Sequence, residues 1–409
     1  MHGLPILPLL LFALTYAGLA LGGVPFLKLD RTGFAILGAM AFLATGTITV
    51  DQAVKAVDAP TVVVLFGMML LSAQYRASGL YTAIGRRLAR VEDPRRLLLG
   101  TIGVAALLSA LLTNDVTCFA LTPLLAGALL ASGRNPLPYL LALACASNIG
   151  SALTPIGNPQ NILIAQSLHL PFQHFLLACA APVGLSLIAV YVLLARRVAG
   201  VGGAANREQA LAIANQEDIP LRKWPALKAI ALTVVAIALF LTPVPAPLTA
   251  LGVAGAVLTS RRLHSRDMMA LVDWNLLALF VGLFVVGKGF ELSGWTAAAR
   301  DGLTAAGLDL THPAVLILVI TLLCLAVGNV PAVMLLLPFA GHQPASGYAL
   351  ALSSTFAGNA VLVGSIANLI VAEQAGRLGI RFGFREHLGT GLPLTLISLA
   401  LAAAAMLLW

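Results

Sequence analysis

Between Ser147 and Asn161 the chain reads Ser-Asn-Ile-Gly-Ser-Ala-Leu-Thr-Pro-Ile-Gly-Asn-Pro-Gln-Asn, with apolar runs on both sides. A regular helix does not continue through Pro155 and Pro159, because proline lacks a backbone donor and its ring clashes with the preceding turn. Irregular backbone cannot face lipid either, since each unsatisfied N–H or C=O there costs several kcal/mol. The stretch therefore predicts a discontinuous helix whose break lines a cavity enclosed by protein.

The surroundings are those of a membrane chain. Of 409 residues, 59% are hydrophobic and 10% charged, with a mean hydropathy of +0.96, whereas soluble domains carry about 25% charged residues. The segment Leu4–Val24 lacks a basic leader region and exceeds signal-peptide length, so it reads as a first span. A net charge of +8 would suggest nucleic acid in a soluble chain. Here the Lys and Arg lie between apolar segments, so they report orientation and nucleic acid is excluded as a partner. Cys118, Cys145, Cys179 and Cys324 stand singly in apolar runs and read as small core residues, without metal or cofactor. No HExxH, GxSxG, Walker or GxGxxG pattern is present, which argues against an intramembrane protease or an ATP-driven pump, and no enzymatic activity is expected.

Further apolar segments run at Thr32–Val50 and Pro60–Tyr75. Two arms, Leu97–Leu112 and Val116–Ala131, are joined by Thr113-Asn114-Asp115. The broken pair Leu137–Ile149 and Gln160–Leu168 and a span His174–Ala195 follow. After a charged loop the series restarts. A shift of 215 places Asp58 on Asp273, Gly67 on Gly282, Ser78-Gly79 on Ser293-Gly294, Asn114 on Asn329 and Pro123 on Pro338. Beyond that, a shift of 207 places Gly157 on Gly364 and Asn161 on Asn368. Corresponding asparagines in corresponding breaks point to a duplication, the pattern of a secondary transporter with its site at the repeat interface.

The expected architecture is an all-α polytopic membrane protein of two repeats, 1–195 and 225–409, joined by a cytoplasmic linker at 196–224. Each holds a re-entrant hairpin (97–131 and 313–341) and a discontinuous helix (137–168 and 345–376). Five crossings per copy is an odd number, so the repeats are inverted. With both termini outside, 21 of the 24 Lys and Arg fall on the cytoplasmic side, which selects this topology under the positive-inside rule.

Inside a membrane an acid is expensive, so Asp115 at the first hairpin tip is a candidate for binding a coupling H⁺ or Na⁺; alternatively it caps a helix starting at Val116. Thr113, Asn114 and Thr117 add neutral oxygens and amides beside it, and Na⁺ would sit at Asn114, Asp115 and Asn148. Helix starts near Val116, Gln160, Val330 and Ala367 would offer free N–H groups to an anion. The second copy keeps Asn329, Asn359 and Asn368 and adds Ser365 and Gly364, but has Val330 where the first has the acid. Lys288 and Glu291 read as a local interfacial pair. His2, His169, His174, His264, His312, His342 and His387 lie near span ends and read as solvated caps.

At Thr113-Asn114-Asp115-Val116-Thr117 with Thr122-Pro123, and at Asn148-Ile149-Gly150 through Thr154-Pro155-Ile156-Gly157-Asn158-Pro159-Gln160-Asn161, the chain resembles an ion-transporter superfamily. That superfamily contains arsenite permeases, citrate and dicarboxylate/sodium symporters, and sodium/proton antiporters. The resemblance implies a fold of two inverted five-helix repeats, a homodimer and an elevator-like slide of the hairpin-bearing part past a fixed scaffold. Where the sodium/dicarboxylate branch has Ser-Asn-Thr at each tip, this chain has Thr113-Asn114-Asp115 and Gly328-Asn329-Val330; the acid is closer to the arsenite-permease branch. The expected activity is secondary transport of a small anion or oxyanion across a bacterial-type inner membrane, coupled to H⁺ or Na⁺. The alternatives are a Na⁺/H⁺ antiporter and a dicarboxylate or citrate symporter. The candidate binding set is Thr113, Asn114, Asp115, Thr117, Asn148, Thr154, Gly157, Asn158, Asn161, Asn329, Asn359, Gly364, Ser365 and Asn368. The expected partners are a small anionic solute, membrane lipid and a second copy of the chain.

Overall fold

The computed structural model describes residues 4–23, 28–198, 219–341 and 343–407. The greater part of the expected linker at 196–224 lies outside the described residues, as do His2 and His342. Among the described residues there are twenty α-helices and no strand. The first ten are α1 (Ile6–Leu21), α2 (Arg31–Ala44), α3 (Val50–Ala56), α4 (Ala59–Ala77), α5 (Leu80–Ala89), α6 (Pro94–Leu111), α7 (Asn114–Ala131), α8 (Leu137–Ser151), α9 (Pro159–Ser167) and α10 (Phe172–Leu194). The second ten begin with α11 (Lys223–Phe240), α12 (Ala246–Leu258), α13 (Ser265–Ala270), α14 (Trp274–Leu292) and α15 (Trp295–Ala305). They continue with α16 (Pro313–Val327), α17 (Asn329–Leu336), α18 (Pro344–Ala357), α19 (Ile366–Arg377) and α20 (Phe384–Met406).

Helix starts follow from short-range chemistry. Asp58 and Asp273, the pair matched by the 215-residue shift, cap α4 and α14 by accepting from Thr61 N at 3.0 Å and Leu276 N at 2.9 Å. Such a cap contributes about 1 kcal/mol. Asp30 and Asp93 do the same for α2 and α6. Thr49 and Gln52 form a reciprocal capping box at α3. Proline occupies the first turn of α4, α6, α8, α12, α16 and α18, where its missing donor costs nothing.

The packing pattern is exchanged between the two sets of ten. α2 packs on α14 as α12 packs on α4, α6 on α8 as α16 on α18, and α7 on α19 as α17 on α9. The glycines matched by sequence explain the first exchange. A Cβ at Gly67 would stand 2.6 Å from Ala250 O, and one at Gly282 would stand 2.8 Å from the carbonyl carbon of Ala35. Small residues at such crossings let membrane helices approach backbone to backbone. Gly67→Leu is therefore expected to force α4 off α12 and cost about 1–3 kcal/mol, read as a lower unfolding midpoint of the detergent-purified protein.

Among the described residues six helices are long and apolar enough to cross a bilayer, α6, α7, α10, α11, α14 and α20, and α3 with α4, bent by 56°, would make a seventh. The first hairpin arms are longer than the sequence suggests, since both α6 and α7 have 18 residues. Its tip, Leu112-Thr113-Asn114, is nevertheless buried in protein. In the second hairpin α17 has 8 residues, a rise of about 12 Å, far short of the ~30 Å a crossing needs.

Candidate functional site

Both hairpins turn within one or two residues, Leu112-Thr113 in the first and Gly328 in the second, and the returning helices α7 and α17 each start at an asparagine, Asn114 and Asn329. The broken helices part between Ser151 and Pro159 and between Ala357 and Ile366, the second break holding a single 3₁₀ turn at Leu362–Gly364. These four points meet. Asn114, Asp115, Gln160, Asn329, Gly364 and Ser365 line one cavity of about 30 Å³, room for about two waters.

Asn148, fully buried on α8 of the first broken helix, joins three of the four points. Its Nδ2 donates to Thr355 O at 2.7 Å and to Asn359 Oδ1 at 3.2 Å. Its Oδ1 accepts from Asn114 Nδ2 and Ser365 Oγ, both long at 3.4 Å. One side chain thus bonds to the first tip and to the second copy's broken helix. The first tip is also held by its backbone, Asn114 N donating to Gly157 O at 3.3 Å.

Asn161 and Asn368 share a different job. Asn161 Nδ2 donates to Ser151 O at 3.3 Å and Asn368 Nδ2 to Gly358 O at 2.8 Å, and Ser151 and Gly358 are themselves related by the shift of 207. Each asparagine therefore staples its own break shut, and each keeps a buried Oδ1 with no hydrogen-bond partner among the described residues, as does Asn114. Asn158 caps α9, its Oδ1 accepting from Asn161 N at 2.8 Å, and its Nδ2 reaches Ser151 Oγ and Thr355 Oγ1.

Other expected residues stand back from the cavity. The Thr117 hydroxyl bonds Thr113 O and that of Thr154 bonds Ala110 O, so both are spent on backbone. Asp115 does not cap a helix at Val116. α7 already begins at Asn114 with Thr113 in the cap position, which leaves the carboxylate in the first turn, facing the cavity. Lys288 and Glu291 pair at 2.9 Å on a partly exposed face, a local contact as expected. The four cysteines are buried and unpaired, and among the described residues no three His, Cys, Asp or Glu side chains gather to hold a metal.

Three residues were missed. Thr355 is the 207-shift counterpart of Asn148 and accepts from Asn158 and Gln160; the shift alone would have found it. Arg31, expected in a cytoplasmic loop, lines the cavity. His387 corrects the reading of the histidines as solvated caps: His169, His174, His264 and His312 are exposed, but His387 is fully buried, because α20 packs on α18 and brings Nε2 within 2.9 Å of Asn359 O. His387→Ala leaves that carbonyl unpaired beside a void and is expected to cost about 2–4 kcal/mol, seen as a lower unfolding midpoint; an unchanged midpoint would contradict the bond.

Comparison with known proteins places these residues in context. The family model described as citrate transporter matches residues 10–348. A silicon efflux transporter of Oryza sativa subsp. japonica is 30% identical, over 92% of this chain and 92% of its own length. A 46 kDa membrane protein of Mycobacterium leprae is also 30% identical, over 97% of each. A Dictyostelium discoideum transporter named arsB is 24% identical over 93% of this chain and 88% of its own length. Among solved structures, the YdaH transporter of Alcanivorax borkumensis, described as having an unusual topology, superposes with a TM-score of 0.53 at 16% identity, covering 98% of this chain and 96% of that one.

Proposed function

Because the chain belongs to the citrate transporter family, and is thus a multi-pass membrane transporter and no enzyme, we propose that it is an ion-coupled carrier of a small anion or oxyanion. The observation that carries the proposal is the convergence of both tips and both breaks on one cavity, bridged by Asn148. The family model described for citrate and the relative named for silicon efflux mark the range of solutes to test.

Two features support a coupling ion at this point. Asp115 supplies the negative charge that a proton or Na⁺ would neutralise. The Oδ1 atom of Asn114, which lines the cavity and has no hydrogen-bond partner among the described residues, is a hard oxygen donor of the kind Na⁺ binds, and buried acceptors without partners are rare in folded proteins. Asn114, Asp115 and Asn148 would hold the ion, and the solute would bind between the tips once they part, since about 30 Å³ is smaller than any such anion. The repeats 1–195 and 225–409 are read as inverted about the membrane plane, with the hairpins and broken helices sliding as one body in an elevator motion. A homodimer in the inner membrane with outside termini completes this reading.

The test is counterflow in proteoliposomes. Trapped unlabelled citrate or silicic acid accelerates entry of its labelled form if the protein is a carrier, whereas non-saturable entry without acceleration would overturn the proposal. The small cavity also suits a bare cation, which favours a Na⁺/H⁺ antiporter as the second reading. Dye-quench measurements with Na⁺, Li⁺ or K⁺ and no solute anion separate the two.

A further inference from the structure

Arg31, the first residue of α2, carries a guanidinium without a carboxylate partner among the described residues. No ion pair joins it to Asp30, Asp273 or Asp115, the carboxylates that line the same spaces; Asp30 accepts from Gly33 N at 2.8 Å and Asp273 from Leu276 N at 2.9 Å, each as a helix cap. Arg31 retains one long bond, from Nη2 to Val363 O at 3.4 Å. An arginine left partly buried and unpaired carries an uncompensated desolvation cost, and its planar fork of donors is suited to carboxylate or phosphate oxygens.

Its position joins two spaces. A vestibule of about 490 Å³ and the cavity between the hairpin tips are both lined by Arg31, Leu279 and Ile366, so a solute passing from one to the other passes the guanidinium. The second tip makes room for it. Gly328, at φ +87°, stands where the first tip has Thr113, and a Cβ there would lie 3.1 Å from Arg31 Nη1.

The arrangement is one-sided. The 215-residue shift pairs Arg31 with Ala246, which lines a separate cavity of about 300 Å³ together with Val64, the counterpart of Leu279. One mouth of the molecule thus carries the Arg31 cation beside the capping carboxylates of Asp30 and Asp273, and its pseudo-symmetric counterpart carries a methyl group where the arginine stands. The same copy that has the acid at its tip also has the arginine.

We infer that Arg31 is the anion-docking residue of this carrier, taking a carboxylate or oxyanion from the vestibule and presenting it to the second hairpin tip. This rests on the transport site proposed above and assigns it a charge preference, which the tips, with asparagines and one acid, do not supply. A neutral solute would gain nothing from the fork.

The test uses full-length protein in proteoliposomes, with labelled citrate, phosphate and uncharged silicic acid as probes. Arg31→Gln is expected to raise KM about tenfold or more for the anion that wild type carries, with Vmax and silicic acid flux little changed, as for the loss of a charge-assisted bidentate contact. Arg31→Lys keeps the charge and loses the fork, so it raises KM by about three- to fivefold, and it carries the test if the glutamine variant does not fold. A KM within twofold of wild type in the folded glutamine variant overturns the inference, and so does an unchanged KM in the lysine variant. A wild type that moves silicic acid and neither anion also overturns it, and with it the anion preference of the proposed carrier, while leaving carrier activity itself intact. Asn148→Ala, run in parallel, judges that reading separately, because it should depress the flux of every probe.

Discussion

Asp115→Asn is expected to abolish gradient-driven uptake, by about 100-fold or more in initial rate, equivalent to about 2.7 kcal/mol, while the protein still folds. The substitution is nearly isosteric and the carboxylate makes no side-chain hydrogen bond that the fold depends on among the described residues. What is lost structurally is its interaction with the N-terminal end of α7, worth about 0.3–1 kcal/mol. What is lost functionally is the acid among the six residues named above as lining the small cavity between the tips, and with it the group able to take up a proton or neutralise a bound cation. The measurement pairs uptake driven by an imposed pH or Na⁺ gradient with the unfolding midpoint. Wild-type-like gradient-driven uptake in a well-folded variant would remove Asp115 from the coupling role.

The second large effect is expected at Asn148. Truncation to alanine removes the donor to Thr355 O and Asn359 Oδ1 and the acceptor for Asn114 and Ser365. A buried polar group left unpaired costs about 1–3 kcal/mol, and the two short bonds are the ones that count, so a total of about 3–5 kcal/mol is expected. Unlike Asp115→Asn, this variant should lose stability and transport together, because the same amide holds the second copy's break against the first copy's tip. Counterflow, which needs no driving gradient, should fall with it. A variant with wild-type counterflow would mean that the bridge is packing and not part of the path.

The offset that pairs Asp58 with Asp273 was legible in the chain, and so was its consequence, since both aspartates cap the same helix of their copy. The same holds for Gly67 and Gly282, each admitting the other copy's backbone, and for Asn161 and Asn368, each closing its own break. Their partners lie within a turn or two, or at a position the repeat dictates. Asp115 was legible as a candidate ion ligand at the first tip, but whether it or Thr113 takes the cap position was not, because whether Asn114 or Val116 begins the helix is a two-residue difference that capping preferences leave open.

Apolar runs, proline breaks and the duplication determined from sequence alone that this chain crosses a membrane with two interrupted helices facing one another, because lipid leaves broken backbone nowhere else to go. Tertiary packing alone decided which polar atoms meet. Arg31 reaches Gly328 and Val363 because α2 lies against α14 at the mouth of the vestibule, and His387 reaches Asn359 because α20 lies against α18. Neither contact leaves a local pattern, since a charged residue at a helix start and a histidine near a span end are compatible with solvent as well as with a cavity, and only the neighbouring helices remove the solvent.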